Sequence, residues 1–111
     1  MSDRSGAKVD PELLRQLDAA KPAQRPVAAV IGLRPPGEGV VPTPEQTETL
    51  SRELLQRTQR RTGSSAHTVN VFQHLGSFLV VADPDFLADL LAQPEVRSAL
   101  ANRQPDDPPP P

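Results

Sequence analysis

The chain has no cysteine, no tryptophan and no tyrosine, and its aromatic content is three phenylalanines in 111 residues. Without cysteine there is neither a disulfide framework nor a thiolate metal site. With so few aromatics, any core must be built from Leu, Val, Ile and Ala. A dominant charge is lacking too. Twelve Lys and Arg stand against 14 Asp and Glu, for a net charge of −2, so the overall field favours neither nucleic acid nor an acidic membrane. No apolar run approaches the roughly 20 residues of a membrane-spanning helix. The opening Met1-Ser2-Asp3-Arg4-Ser5-Gly6 carries no apolar signal-peptide stretch. These absences point to a soluble, cytoplasmic protein with one small domain.

The residues that carry chemistry are equally sparse. His67 and His74 are seven apart, an odd separation that puts them on opposite faces of a regular strand, so surface histidines are expected rather than a metal site. Ser64, Ser65 and Ser77 have no evident base and orienting partner. Gly37-Glu38-Gly39 lacks the rest of a phosphate loop. Asp83, Asp85 and Asp89 read as helix-start acids. No catalytic residue, cofactor or metal is expected.

Abundant proline, 14 residues, punctuates what remains. Pro105-Asp106-Asp107-Pro108 and the three prolines that follow are expected to form a disordered, extended tail over 105–111. Residues 1–25 read as an N-terminal amphipathic helix and linker. Asp10-Pro11-Glu12 is a capped helix start, Leu13, Leu14 and Leu17 make an apolar stripe, and Pro22 to Pro26 is the linker. That helix either packs on its own domain or serves as a partner-binding arm.

Residues 26–104 read as the folded unit. Val27 to Leu33 is apolar throughout, the pattern of a strand covered on both faces. Thr43-Pro44-Glu45-Gln46 opens a helix with a capping box, whose buried stripe is expected at Leu50, Leu54 and Leu55, with Gly63 as its left-handed end. A strand is expected over Ala66 to Gln73, a turn at His74-Leu75-Gly76, and a second apolar strand at Phe78 to Ala82. Asp83-Pro84-Asp85 then caps a helix bearing Phe86, Leu87, Leu90 and Leu91. Pro94 ends it, and Val96, Ala99 and Leu100 belong to a last element of uncertain type.

The order is that of an α+β, ferredoxin-like β-α-β-β-α-β sandwich with an extra N-terminal helix. Two helices cover one face of such a sheet. Strands apolar on both sides therefore leave a second apolar face, either exposed as a binding surface or covered by the N-terminal helix. An RNA-recognition module shares this element order, but the missing Tyr and Trp and the acidic balance argue against it.

Within this frame, Ser77-Phe78-Leu79-Val80-Val81-Ala82, then Phe86 to Leu91, then Pro94-Glu95-Val96 resemble the propeptide, or inhibitor-type, domain of subtilisin-like serine proteases, over about residues 27–104. The resemblance implies that the sheet face opposite the helices docks on a protease and that the C-terminal segment enters its cleft. Two features depart from that family. No protease domain follows, which implies a stand-alone module. The stretch Arg97 to Arg103 looks helix-like where the family has a last strand, and Pro105 interrupts the segment that would enter the cleft. Candidate docking residues are Asn70, Phe72, Gln73 and Phe78. Candidate cleft residues are Leu100, Ala101, Asn102, Arg103 and Gln104. Leu79 and Val81, with Val69 and Val71, are expected under the helices, unless a one-residue bulge swaps the faces. Two other readings stay open: an adaptor or assembly module of the same fold that works through its Leu-rich arm and proline tail, and a homodimer with packed sheets.

Overall fold

The computed structural model describes residues 8–35 and 42–102. The expected proline tail, Arg103, Gln104 and most of the loop after Arg34 lie outside these residues. The chain runs β1 (Lys8–Val9), α1 (Pro11–Ala20), β2 (Val27–Leu33), α2 (Pro44–Thr62), β3 (Thr68–Phe72), β4 (Ser77–Ala82), α3 (Pro84–Leu91) and β5 (Val96–Ala101), with 3₁₀ turns at Lys21–Ala23 and Gln73–Leu75. The five strands form one mixed sheet in the order β1-β5-β2-β4-β3. Only the β1–β5 pair is parallel. An α+β arrangement of five strands and three helices is compatible with the ferredoxin-like class.

Each helix start is dictated by its local sequence. Asp10 precedes Pro11, and its Oδ1 accepts from the Glu12 amide at 3.1 Å. Its other oxygen accepts from Ala101 N–H at 3.2 Å, tying the start of α1 to β5. Thr43 and Gln46 close the expected capping box at 2.9 and 3.1 Å. Gly63 ends α2 in the left-handed region, with φ 76°, where a side chain would be strained. Asp83 differs from the expectation. It precedes α3 but makes no side-chain cap; its carboxylate instead meets His67 Nε2 at 3.1 Å. Asp89 is also not a helix-start acid, since it lies in the last turns of α3 and pairs with Arg61 at 3.1 Å.

All three helices lie on one side of the sheet. Leu13 of α1, Leu54 of α2 and Phe86, Leu87 and Leu90 of α3 join one buried cluster with Val27, Ala29, Ile31 and Leu33 of β2, Phe78, Val80 and Ala82 of β4, and Val96 and Ala99 of β5. Burial of each such Leu, Ile or Phe side chain contributes about 1.5–3 kcal/mol. The N-terminal helix is therefore neither a free arm nor a cover for the second sheet face; it shares the face of the other two. Its amphipathic stripe explains why: Leu13 is buried while Leu14, one position on, is half exposed.

The buried stripe of α2 also departs from expectation. Leu54 is buried, but Leu50 and Leu55 only flank the core. The centre of the stripe is Thr47, Ser51, Leu54 and Thr58, spaced four, three and four apart. These hydroxyls are satisfied within the helix: Thr47 donates to Thr43 O, Ser51 to Thr47 O and Thr58 to Leu54 O, at 2.7–2.8 Å. Thr58 Oγ1 also accepts from buried Gln93 Nε2 at 2.7 Å. Arg57 in turn donates to Gln93 Oε1 at 2.7 Å and to the Glu95 carboxylate at 3.1 Å. This chain of contacts fastens α2 to the turn between α3 and β5. No helix among the described residues is long and apolar enough to cross a membrane.

Candidate functional site: the open face of the sheet

A strand alternates its side chains between faces, so placing one residue places the rest. The register pairs Ile31 with Phe78, and Val71 with Phe78. Ile31 and Phe78 are fully buried under the helices. The intervening residues therefore face the other way. From β2 these are Ala28, Val30 and Gly32; from β3, Thr68, Asn70 and Phe72; from β4, Ser77, Leu79 and Val81; and from β5, Ser98 and Leu100. Val30, Phe72, Leu79 and Val81 are half-buried by their neighbours, and Leu100 is 53% exposed.

This assigns the sequence-predicted site residues. Asn70 and Phe72 lie on the open face as expected. Gln73 belongs to the 3₁₀ turn that follows β3. Phe78 is corrected: it is 0% exposed and lies in the core. Leu79 and Val81 are corrected in the opposite sense, from core to open face. The cause is the hairpin. Four residues, Gln73 to Gly76, join Phe72 to its partner Ser77, and Gly76 takes φ 61° to close the turn. Phe72 and Phe78 are thereby forced onto opposite faces. Val69 and Val71 do point to the helix side, although Val69, at the sheet edge, is 41% exposed.

The last element, whose type the sequence left open, is a strand as the β-α-β-β-α-β order has it, although Arg97 to Arg103 looks helix-like: Val96–Ala101 pairs with β2. The reason is tertiary. Ala99 fills the core beneath α1, and Ala99 O accepts from Asp10 N at 2.8 Å, which outweighs the helical propensity of an Arg-Ser-Ala-Leu-Ala run. Of the candidate cleft residues, Leu100 faces the open side, Ala101 packs against the core on the helix side, and Asn102 donates its amide to Ala28 O at 3.1 Å. Arg103 and Gln104 lie outside the described residues.

At one end the open face hollows into a concavity of about 640 Å³ around Gly32, walled by Val30, Leu75, Ser77, Ser98 and Leu100. A Cβ at Gly32 would meet the Ser98 hydroxyl, which would have to turn aside. Lys8, Arg34 and Arg97 stand at its rim. Arg34 is held by donating to the carbonyls of Pro94 at 3.1 Å and Val96 at 3.4 Å. No carboxylate lies among the open-face positions given by the register. Sequence reading missed Val30, Leu75, Leu79 and Val81 as surface elements. The signal available was the apolar character of β2 on both faces.

Among the described residues, no three His, Asp or Glu side chains cluster as a metal site. His67 and His74 are both exposed. The arrangement has apolar area, neutral polar groups and a cationic rim. Comparison with known proteins found no matching family model, no significantly similar curated protein and no significantly similar solved structure.

Proposed function

We propose that this chain is a non-enzymatic protein-binding module that docks its partner on the open face of its sheet. The observation that supports this most directly is the distribution of helices. All three cover one face, while Val30, Phe72, Leu79, Val81 and Leu100 line the other with no described element over them. Contiguous apolar surface of this kind marks interaction sites.

The partner we propose is a subtilisin-like serine protease, which the module inhibits or chaperones. Two features support that choice. The last element is a strand, as the propeptide resemblance requires, and the sequence continues beyond Asn102. The cationic rim suits a partner with carboxylates beside its apolar patch.

The test is a titration of purified protein into a subtilisin, following hydrolysis of a small chromogenic substrate. Inhibition that is weakened by Leu79→Lys, with the far-UV spectrum unchanged, is expected. Absence of inhibition at high micromolar concentration removes the protease. Inhibition that Leu79→Lys leaves intact removes the open face.

A further inference from the structure

The two edges of the sheet are treated differently. β5 is covered by β1, and the Asp10 carboxylate accepts the Ala101 N–H beyond it. At the other edge β3 has no neighbouring strand outside it among the described residues. It pairs with β4 over five consecutive residues, and Thr68-Val69-Asn70-Val71-Phe72 contains no proline and no charge. Edges are normally protected by Lys, Pro, bulges or extreme shortness. Lys and Pro are absent here, and the irregularity at the start of the strand, where His67 N–H also donates to Val81 O at 2.7 Å, leaves Val69 to Phe72 in regular register.

The free backbone groups of this edge can be assigned. Leu33 N donates to Gly76 O at 2.9 Å, in register with the Ile31–Phe78 pair, so Phe78, Val80 and Ala82 direct their main-chain groups toward β2. Alternation then sends those of Ser77, Leu79 and Val81 toward β3. Their partners Phe72, Asn70 and Thr68 point back at β4. Val69 and Val71 are left with N–H and C=O directed out of the sheet.

We infer that β3 pairs antiparallel with β3 of a second copy about a two-fold axis through Asn70, joining two five-stranded sheets into one of ten. The occupant is a second copy because the strand is self-complementary. With Asn70 facing its mate, Val69 lies opposite the mate's Val71. These are the residues with outward groups, so four N–H···O bonds form, two on each side of the axis. Thr68 meets the mate's Phe72 on the open face. Val69, 41% exposed, is covered by a valine. No charge opposes a like charge across the strands. The axis also sets the two α2 helices antiparallel. Each α2 carries Glu45 in its first turn and Arg60 in its last, Arg61 being paired with Asp89, so the antiparallel setting puts unlike rather than like charges at each end of the helix pair. The dimer also merges two open faces into one docking surface.

Analytical ultracentrifugation tests this directly. The wild type is expected to show a concentration-dependent dimer with Kd of roughly 10–100 μM, as a small interface gives. Val69→Pro removes an outward N–H that the monomer does not use, and proline is tolerated at a sheet edge. It should weaken association by roughly a hundredfold with an unchanged circular dichroism spectrum. Asn70→Asp sets two carboxylates face to face at the axis and should weaken it on the order of tenfold, whether or not the proline variant folds. Leu79→Lys, on the open face, should dimerise normally. A wild type that stays monomeric to about 1 mM, ten times the upper end of that range, overturns the inference. So does a dimer lost in Leu79→Lys but kept in Asn70→Asp, which would place the second copy on the face.

Discussion

Exchanging adjacent residues of β4 gives the sharpest test of which sheet face belongs to the core. Phe78 is completely buried between β2, β3 and the helices, and its neighbour Leu79 sits half-buried on the opposite side. Truncating a fully buried Phe to Ala removes its transfer free energy and leaves a cavity, about 3–5 kcal/mol together. Truncating Leu79 removes only part of a side chain's apolar contact, and solvent enters the space, so no cavity term applies. The cost there should be about 0.5–1 kcal/mol. A domain of this size loses roughly 4–8 °C of Tm per kcal/mol. Phe78→Ala should therefore lower Tm by at least about 12 °C, and Leu79→Ala by less than about 8 °C.

Total stability for a small domain is only about 5–15 kcal/mol, so Phe78→Ala risks unfolding outright. Phe78→Leu is the graded substitute, with an expected loss of about 1–2 kcal/mol. Urea titrations followed by far-UV circular dichroism measure all three variants. The transition slope should stay constant if only the native state is affected. A Leu79→Ala loss equal to or larger than that of Phe78→Ala would refute the face assignment, and the open face would then not contain Leu79 or Val81. Partner affinity should separate the same way: reduced by Leu79→Ala, and unchanged by Phe78→Leu while that variant remains folded.

Three further outcomes are expected. Thr58→Val leaves the buried Gln93 amide without its acceptor and should cost about 1–3 kcal/mol by denaturant titration. Asp10→Ala removes both a helix cap and the acceptor for Ala101 N–H, for about 1–3 kcal/mol, whereas Asp83→Ala, which breaks only an exposed contact with His67, should cost about 0.5 kcal/mol or less. Gly32→Ala should be close to neutral in the wild type, because the new methyl displaces the Ser98 hydroxyl. In a Ser98→Ala background it should stabilise by about 0.4–1 kcal/mol, and additivity of the two substitutions would show that the contact is not felt.

The helices were legible because their signals are local. Asp10-Pro11, Thr43-Pro44-Glu45-Gln46 and Gly63 each act within one turn of the chain, and the structure places α1 and α2 at these residues. The start of α3 was found from Asp83-Pro84 for a reason that proved incomplete, since the Asp83 carboxylate belongs to His67. β2 was found at its observed limits because seven successive apolar-compatible residues before Arg34 leave little else for it to be. The two-residue β1 escaped and the type of the last element stayed open, because β1 pairs with a strand 90 positions away and β5 with β2, 63–72 positions away.

The face assignment of β4 was unreadable for a related reason. Alternation carries parity information only when one face is polar, and Phe78-Leu79-Val80-Val81-Ala82 is apolar on both. The parity was fixed elsewhere, by a four-residue connection whose Gly76 takes a left-handed conformation. That same ambiguity is the functional clue. A sheet with a single buried face needs apolar residues only at alternate positions, and β2 and β4 carry them at both. The extra residues, Val30, Leu79 and Val81, do nothing for the helix-covered core that Ile31 and Phe78 complete. They stabilise the molecule fully only when something covers them, which is the physical case for a docked partner on that face.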